Sequence, residues 1–151
     1  MNDIQRRTEV DQVFTVDELT DLFTYLAGCC LHTAQWAPPE VAEVLWAGWR
    51  GCGDEDYQPM PKTESESDSV VVVRLADGSF GLLVEGEDYT GHGCQCASYT
   101  NRYATLGELL RFGITEGDRE SIALALADAE VAEGEIVESA PERKALERGN
   151  G

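Results

Sequence analysis

Lysine is almost missing from this 151-residue chain. It has two, Lys62 and Lys144, and Lys and Arg together number 11 against 29 Asp and Glu, for a formal net charge of −18. So few cations exclude the usual electrostatic route to nucleic acid, in which Lys and Arg displace counterions from phosphates, and they disfavour anionic lipid for the same reason. No direct nucleic-acid partner and no membrane partner is expected. No apolar run approaches the roughly 18 residues of a spanning helix, and the opening "MNDIQRRTEVDQVF" lacks the apolar stretch of a secretory signal. A cytoplasmic location is the expectation, and the five cysteines, an odd number, then read as free thiols rather than a disulfide framework. Also lacking are G-x-S-x-G, the Walker loop, the dinucleotide fingerprint, H-E-x-x-H and the EF-hand pattern. No constellation for catalysis is left to argue from.

What is present is unevenly charged. Residues 1–53 carry eight acidic and three basic side chains, 54–69 six and one, 70–113 five and three, and 114–151 ten and four. A nearly neutral middle is flanked by acidic arms, and the middle is where the core is expected. There "SVVVVRLADGSFGLLVEG" predicts a hairpin over about residues 70–87. Two β-rich runs flank Asp77-Gly78, a turn pair that tolerates positive φ. The run Val70 to Leu75 is apolar at nearly every position, as in a strand covered on both faces, and helices on one side are the economical cover. A third strand is expected around 98–103.

Helices are predicted on both sides of this hairpin. Thr15 and Glu18 form a capping box ahead of a stripe at Val16, Leu19, Phe23 and Leu26, with Gly28 as a stop. "APPEVAEVLWAGWRGCG" reads as a second helix, with Val41, Val44, Leu45, Gly48 and Trp49 at helical spacing. Thr105 and Glu108 open a short third helix ending at Gly113, and Thr115 with Asp118 opens a fourth bearing Ile122, Ala125, Leu126 and Ala129. The expected fold is therefore α+β: a small antiparallel sheet, the hairpin plus a third strand, packed with about four helices. Residues 1–133 form one domain with a mobile acidic loop at 54–69, and 134–151 a charged, disordered tail.

The stretch "EDYTGHGCQC" carries the one chemically suggestive cluster, His92, Cys94 and Cys96, with Cys52 or Cys30 available from upstream. Thiolates with an imidazole are the ligand set that zinc prefers in groups of four. The alternate spacing opposes an easy site, because residues two apart on a strand lie about 6.6 Å apart. The bland alternative makes these cysteines small buried hydrophobes. A Cys–His nucleophile is disfavoured, since an acidic surround raises a thiol pKa. Of the aromatics, Trp46 points away from the stripe of its predicted helix and is a candidate partner contact. Asp54, Glu55 and Asp56 supply acid beside it.

The segment from Gly81 to Arg119, with "EDYTGHGCQC" and then "TLGELLRFGI", resembles small uncharacterised proteins of actinobacteria and their phages. The resemblance covers about a quarter of the chain, brings no activity and no site residue, and implies a cytosolic accessory protein of the kind that a phage encodes, acting in the host cytoplasm. The leading expectation is a non-enzymatic acidic protein that binds a protein partner with a basic surface, as an inhibitor occupying a nucleic-acid-binding surface would. The alternative is a zinc-stabilised module using His92, Cys94, Cys96 and Cys52. A third reading makes the acid an adaptation to high salt.

Overall fold

The computed structural model describes residues 14–29, 31–51, 54–60, 67–88 and 95–128. Its centre is a six-stranded mixed sheet built from β1 (Leu31–Ala34), β2 (Val41–Gly51), β3 (Gln58–Pro59), β4 (Ser67–Leu75), β5 (Phe80–Asp88) and β6 (Gln95–Tyr103). In space the order is β1-β6-β5-β4-β2-β3, with β1 parallel to β6 and every other pair antiparallel. The helices are α1 (Val16–Cys29), α2 (Leu106–Glu108, continuing as a π-helical turn over Leu109–Gly113) and α3 (Glu116–Asp128). A single 3-10 turn, Pro38–Glu40, leads into β2.

Residue alternation along β4 separates two cores. Val71, Val73 and Leu75 join Leu83, Trp36 and Trp49 under α1, which contributes Leu19 and Leu26. Val70 and Val72 point the other way, to Phe80, Leu82 and the α2–α3 layer with Leu106, Leu109, Ile122 and Leu126. Val71, Val72 and Val73 are all fully buried, as a strand with cover on both faces must be. The expectation of a small sheet with helices on one side is therefore corrected. The sheet has six strands and lies between helix layers.

The larger correction is to the predicted second helix. Residues 41–51 form β2, the long partner of β4. Helical spacing misled because β2 is irregular in two places, with register shifts between Val41 and Glu43 and between Val44 and Trp46. Each shift inserts an extra residue, so the period-2 alternation breaks and apolar residues fall three and four apart. Val and Trp prefer a pleated surface, and Val44, Ala47 and Trp49 reach one core while Leu45 and Trp46 reach the other. With this segment a strand, the described residues hold three helices rather than about four.

Several local readings stand as expected. The Glu18 amide donates to Thr15 Oγ1 at 3.1 Å, and the Glu108 amide to Thr105 Oγ1 at 3.1 Å. The hairpin turns at Asp77-Gly78, but only Gly78 has positive φ, +90°. The Gly78 amide donates to the Leu75 carbonyl and the Leu75 amide to the Ser79 carbonyl, which makes a three-residue loop with a glycine bulge rather than a two-residue turn. β4 starts at Ser67, three residues before the boundary that the sequence suggested.

Candidate functional site

At one end of the sheet the α2–α3 layer stops short of the strands and leaves a cleft of about 220 Å³. Its floor is apolar, with Val70, Val84, Ile114 and Ile122. Its polar lining residues are Arg50, Tyr57, Asp68, Tyr99, Thr115 and Asp118, together with Ser69 and Glu85, which belong to the opposite face of their strands. The sheet register fixes who meets whom: Arg50 pairs with Asp68, Asp68 with Gly86, and Gly86 with Ala97. These four residues form one row across β2, β4, β5 and β6, and paired residues share a face.

Arg50 is the hub. Its Nη1 donates to Asp118 Oδ1 at 2.9 Å, in a pair with side chains 22% and 19% exposed. Its Nε lies 3.7 Å from Asp68 Oδ2, a charge contact with a carboxylate that is half exposed. Its guanidinium carbon sits 4.5 Å from the centre of the Tyr57 ring, a cation–π geometry. Trp46 meets that same ring edge-on at 5.7 Å. Burial works against the Arg50 charge, but the hydrogen bond that it donates to Asp118 and the neighbouring negative groups outweigh it and raise the guanidinium pKa. Burial also pushes the Tyr57 hydroxyl up to about 12 and raises that of Tyr99. Both phenols are neutral at ordinary pH.

Thr115 does two things here. Its hydroxyl donates to Asp118 Oδ2 at 3.0 Å while the Asp118 amide donates to the Thr115 carbonyl. The start of α3 thereby aims the Asp118 carboxylate at β2. Arg119 ties α3 back to α2, donating to the carbonyls of Leu110 at 2.7 Å and Arg111 at 2.9 Å.

A second polar group lies on the other face of the same strands. Ser69, Glu85 and Ser98 occupy one paired row across β4, β5 and β6, and all three are fully buried. Thr100, next on β6, is also buried and accepts from the amides of Gln35 and Trp36. Thr100 thereby anchors the crossing from β1 to the 3-10 turn.

Of the residues singled out from the sequence, Trp46 is half-buried on the cleft side, in contact with Tyr57. Asp54, Glu55 and Asp56 are exposed and run directly into Tyr57. Trp46 through its ring contact and Asp56 through the chain thus adjoin Tyr57, and none of the four is among the residues that line the cleft. His92, Cys94, Cys52 and Cys30 lie outside the described residues, and Cys96 is described only by its backbone, opposite Glu87. Among the described residues no three His, Cys, Asp or Glu side chains converge on a metal position.

Sequence reasoning missed Arg50, Tyr57, Asp68 and Tyr99, and read Asp118 only as a cap. One signal was available: Arg50 is the sole cation between Arg7 and Lys62 and closes an apolar run. No family model, curated protein or solved structure matches the chain. Among the described residues no helix is long and apolar enough to cross a membrane.

Proposed function

We propose that this is a non-enzymatic acidic accessory protein that binds a protein partner through that partner's basic surface and modulates it, by occlusion where the surface serves nucleic acid. One observation carries the reading: every described arginine is engaged within the chain. Arg50 is held by Asp118 and Asp68, Arg102 by Glu40 and Asp77, and Arg119 by helix carbonyls. Arg74 lies over Phe80 and Arg111 over Phe112. Two of these five charges are met by carboxylates and the other three are tied to rings or carbonyls, so with 29 acidic side chains against 11 basic ones the outward field is negative, the exposed Asp54, Glu55 and Asp56 contributing to it. Such a field steers a basic partner and makes association sensitive to salt.

The test is affinity capture from the cells that make the protein, with the identified partner then titrated between about 0.1 M and about 1 M salt. Over that range the Debye length falls from about 10 Å to about 3 Å. Loss of binding at high salt, and competition with the partner's nucleic acid, are expected. Affinity indifferent to ionic strength overturns the reading.

A zinc-stabilised module using His92, Cys94, Cys96 and Cys52 is the second reading, and one feature favours it. The described chain ends that flank those residues share one end of the sheet: Gly51, before Cys52, pairs with Ser67, and Asp88 pairs with Gln95 around the segment 89–94. Structural zinc is held tightly enough to survive purification. Untagged protein should carry close to one equivalent if this reading holds, and less than about 0.2 equivalents ends it.

A further inference from the structure

We propose that the open side of the Arg50 cleft receives one arginine side chain of the partner, its guanidinium between Asp68 and Tyr99. The proposal rests on the partner reading above and names the group recognised.

The cleft has two unequal sides. On one, Arg50 is consumed by Asp118 and by the Tyr57 ring. On the other, the Asp68 side chain is 52% exposed, and its 3.7 Å separation from Arg50 Nε is beyond hydrogen-bond length, so the carboxylate keeps acceptor capacity. Asp68 stands on β4 and Tyr99 on β6, two strands away on the same face. Tyr99 belongs to the neighbouring row, paired with Val84 and through it with Val70, so two strand spacings of about 9.5 Å combine with a two-residue offset of about 6.6 Å into a diagonal of about 12 Å. Beside Asp68 the β5 position is Gly86, where a methyl group would lie 3.4 Å from Asp68 Oδ1, the next position in that row is Ala97, and beside Tyr99 the β5 position is Val84. The gap is thus floored by backbone and by the apolar side chain of Val84.

Three features select the guest. The cleft lining holds one cation, Arg50, against Asp68 and Asp118 on this face and the buried Glu85, and exposed Asp54–Asp56 lead into Tyr57, so an anion is repelled and a cation drawn in. Its volume, about 220 Å³, is below the roughly 300–1,000 Å³ of pockets for drug-sized ligands and suits a single side chain. Its walls offer a carboxylate and a neutral phenol ring, the same pair of groups that holds Arg50 on the other side. A planar guanidinium can meet a carboxylate with two hydrogen bonds and stack on a ring, whereas a lysine ammonium does neither as well.

The probe is N-acetyl-arginine methylamide, titrated into ¹⁵N-labelled full-length protein, with the lysine and glutamate counterparts as controls. Millimolar saturable shifts centred on Asp68, Gly86 and Tyr99 are expected for the arginine probe, weaker ones for lysine and none for glutamate. Asp68→Asn should weaken binding about tenfold, the loss of one charge-assisted contact. Gly86→Val, which fills the gap and leaves the charge, should do the same, and Glu120→Gln, an exposed carboxylate on α3, should change nothing. Shifts spread over the acidic surface, equal lysine binding, or wild-type affinity in both cleft variants overturn the proposal. If the captured partner stays salt-sensitive yet binds both cleft variants normally, the cleft assignment fails while the partner reading stands. If no salt-sensitive partner is found, the partner reading fails and the probe titration alone decides the cleft.

Discussion

Substituting Gly81 by alanine tests the packing of the α1 side of the sheet more sharply than any large-to-small change. A Cβ at Gly81 would lie 2.6 Å from Trp36 Nε1, 2.7 Å from Trp36 Cε2 and 2.7 Å from Val73 Cγ2. None of these groups yields cheaply. Trp36 is 2% exposed, and its indole N–H donates to the Asn101 carbonyl at 2.9 Å. Val73 is fully buried and, being β-branched, has little rotamer freedom. The backbone at Gly81 needs no positive φ, so alanine should gain about 0.4–1 kcal/mol from the unfolded chain. Against that stand about 1–3 kcal/mol of overpacking strain. If the indole is forced out, the loss of its hydrogen bond adds about 1 kcal/mol, together with part of the about 3–5 kcal/mol that a buried tryptophan is worth. We expect a net loss of about 2–4 kcal/mol, with Trp36 emission shifted to the red. Urea unfolding of Gly81→Ala, of Trp36→Leu and of the double variant gives the answer. In the Trp36→Leu background the alanine should cost at least about 1 kcal/mol less. A loss below about 0.5 kcal/mol, or the same loss in both backgrounds, refutes the argument.

Two further outcomes are expected. Arg50→Met and Asp118→Asn should show a coupling of about 1–2 kcal/mol in a double-mutant cycle, because the pair is largely buried and hydrogen-bonded at 2.9 Å; a coupling below about 0.3 kcal/mol would mean that α3 is held by its apolar face alone. Alkaline titration followed by tyrosinate absorbance should show a component near pH 12 from Tyr57, whose ordinary value is 10.0, and Tyr57→Phe should remove it. Because the folded value lies above the unfolded one, this stabilisation is complete below about pH 10 and is lost as pH rises through about 12; two units at about 1.36 kcal/mol each, discounted for the half-exposed ring, leave about 1 kcal/mol. A late component that survives in Tyr57→Phe removes the assignment.

The difference between what could and could not be read from the sequence follows the range of the interactions. Thr15 with Glu18, Thr105 with Glu108, and Asp77 with Gly78 act within a few residues, and each was legible. Val70–Leu75 announced a doubly covered strand because burial on both faces leaves no polar position to alternate with. β2 was not legible, since its two bulges turn a period of 2 into spacings of three and four, the very signature of a helix. The cleft was harder still. Arg50 meets Asp118 across 68 residues, and the meeting depends on a strand register that the misread segment itself sets. Trp46 was singled out for its position on a helix that does not exist; it stands instead on β2, against Tyr57.

The cleft is also not a fault of packing, and the composition of its row shows why. A sheet face calls for a helix layer only where it presents apolar side chains to bury. On β4 and β5 that demand is met by Val70, Val72, Leu82 and Val84, and α3 covers them with Ile122 and Leu126. One step further along, the row reads Arg50, Asp68, Gly86 and Ala97, with two charges at one side and almost no side chain at the other. Extending α3 over that row would bury Asp68 and Arg50 and gain only the methyl of Ala97. The layer instead ends at Thr115, where the helix start sends Asp118 out to meet Arg50. The charged rim and the bare floor are therefore one decision of the sequence. An apolar residue at Gly86 or Ala97 would favour closing the gap, whereas the residues present keep it open beside a carboxylate that still has hydrogen bonds to accept.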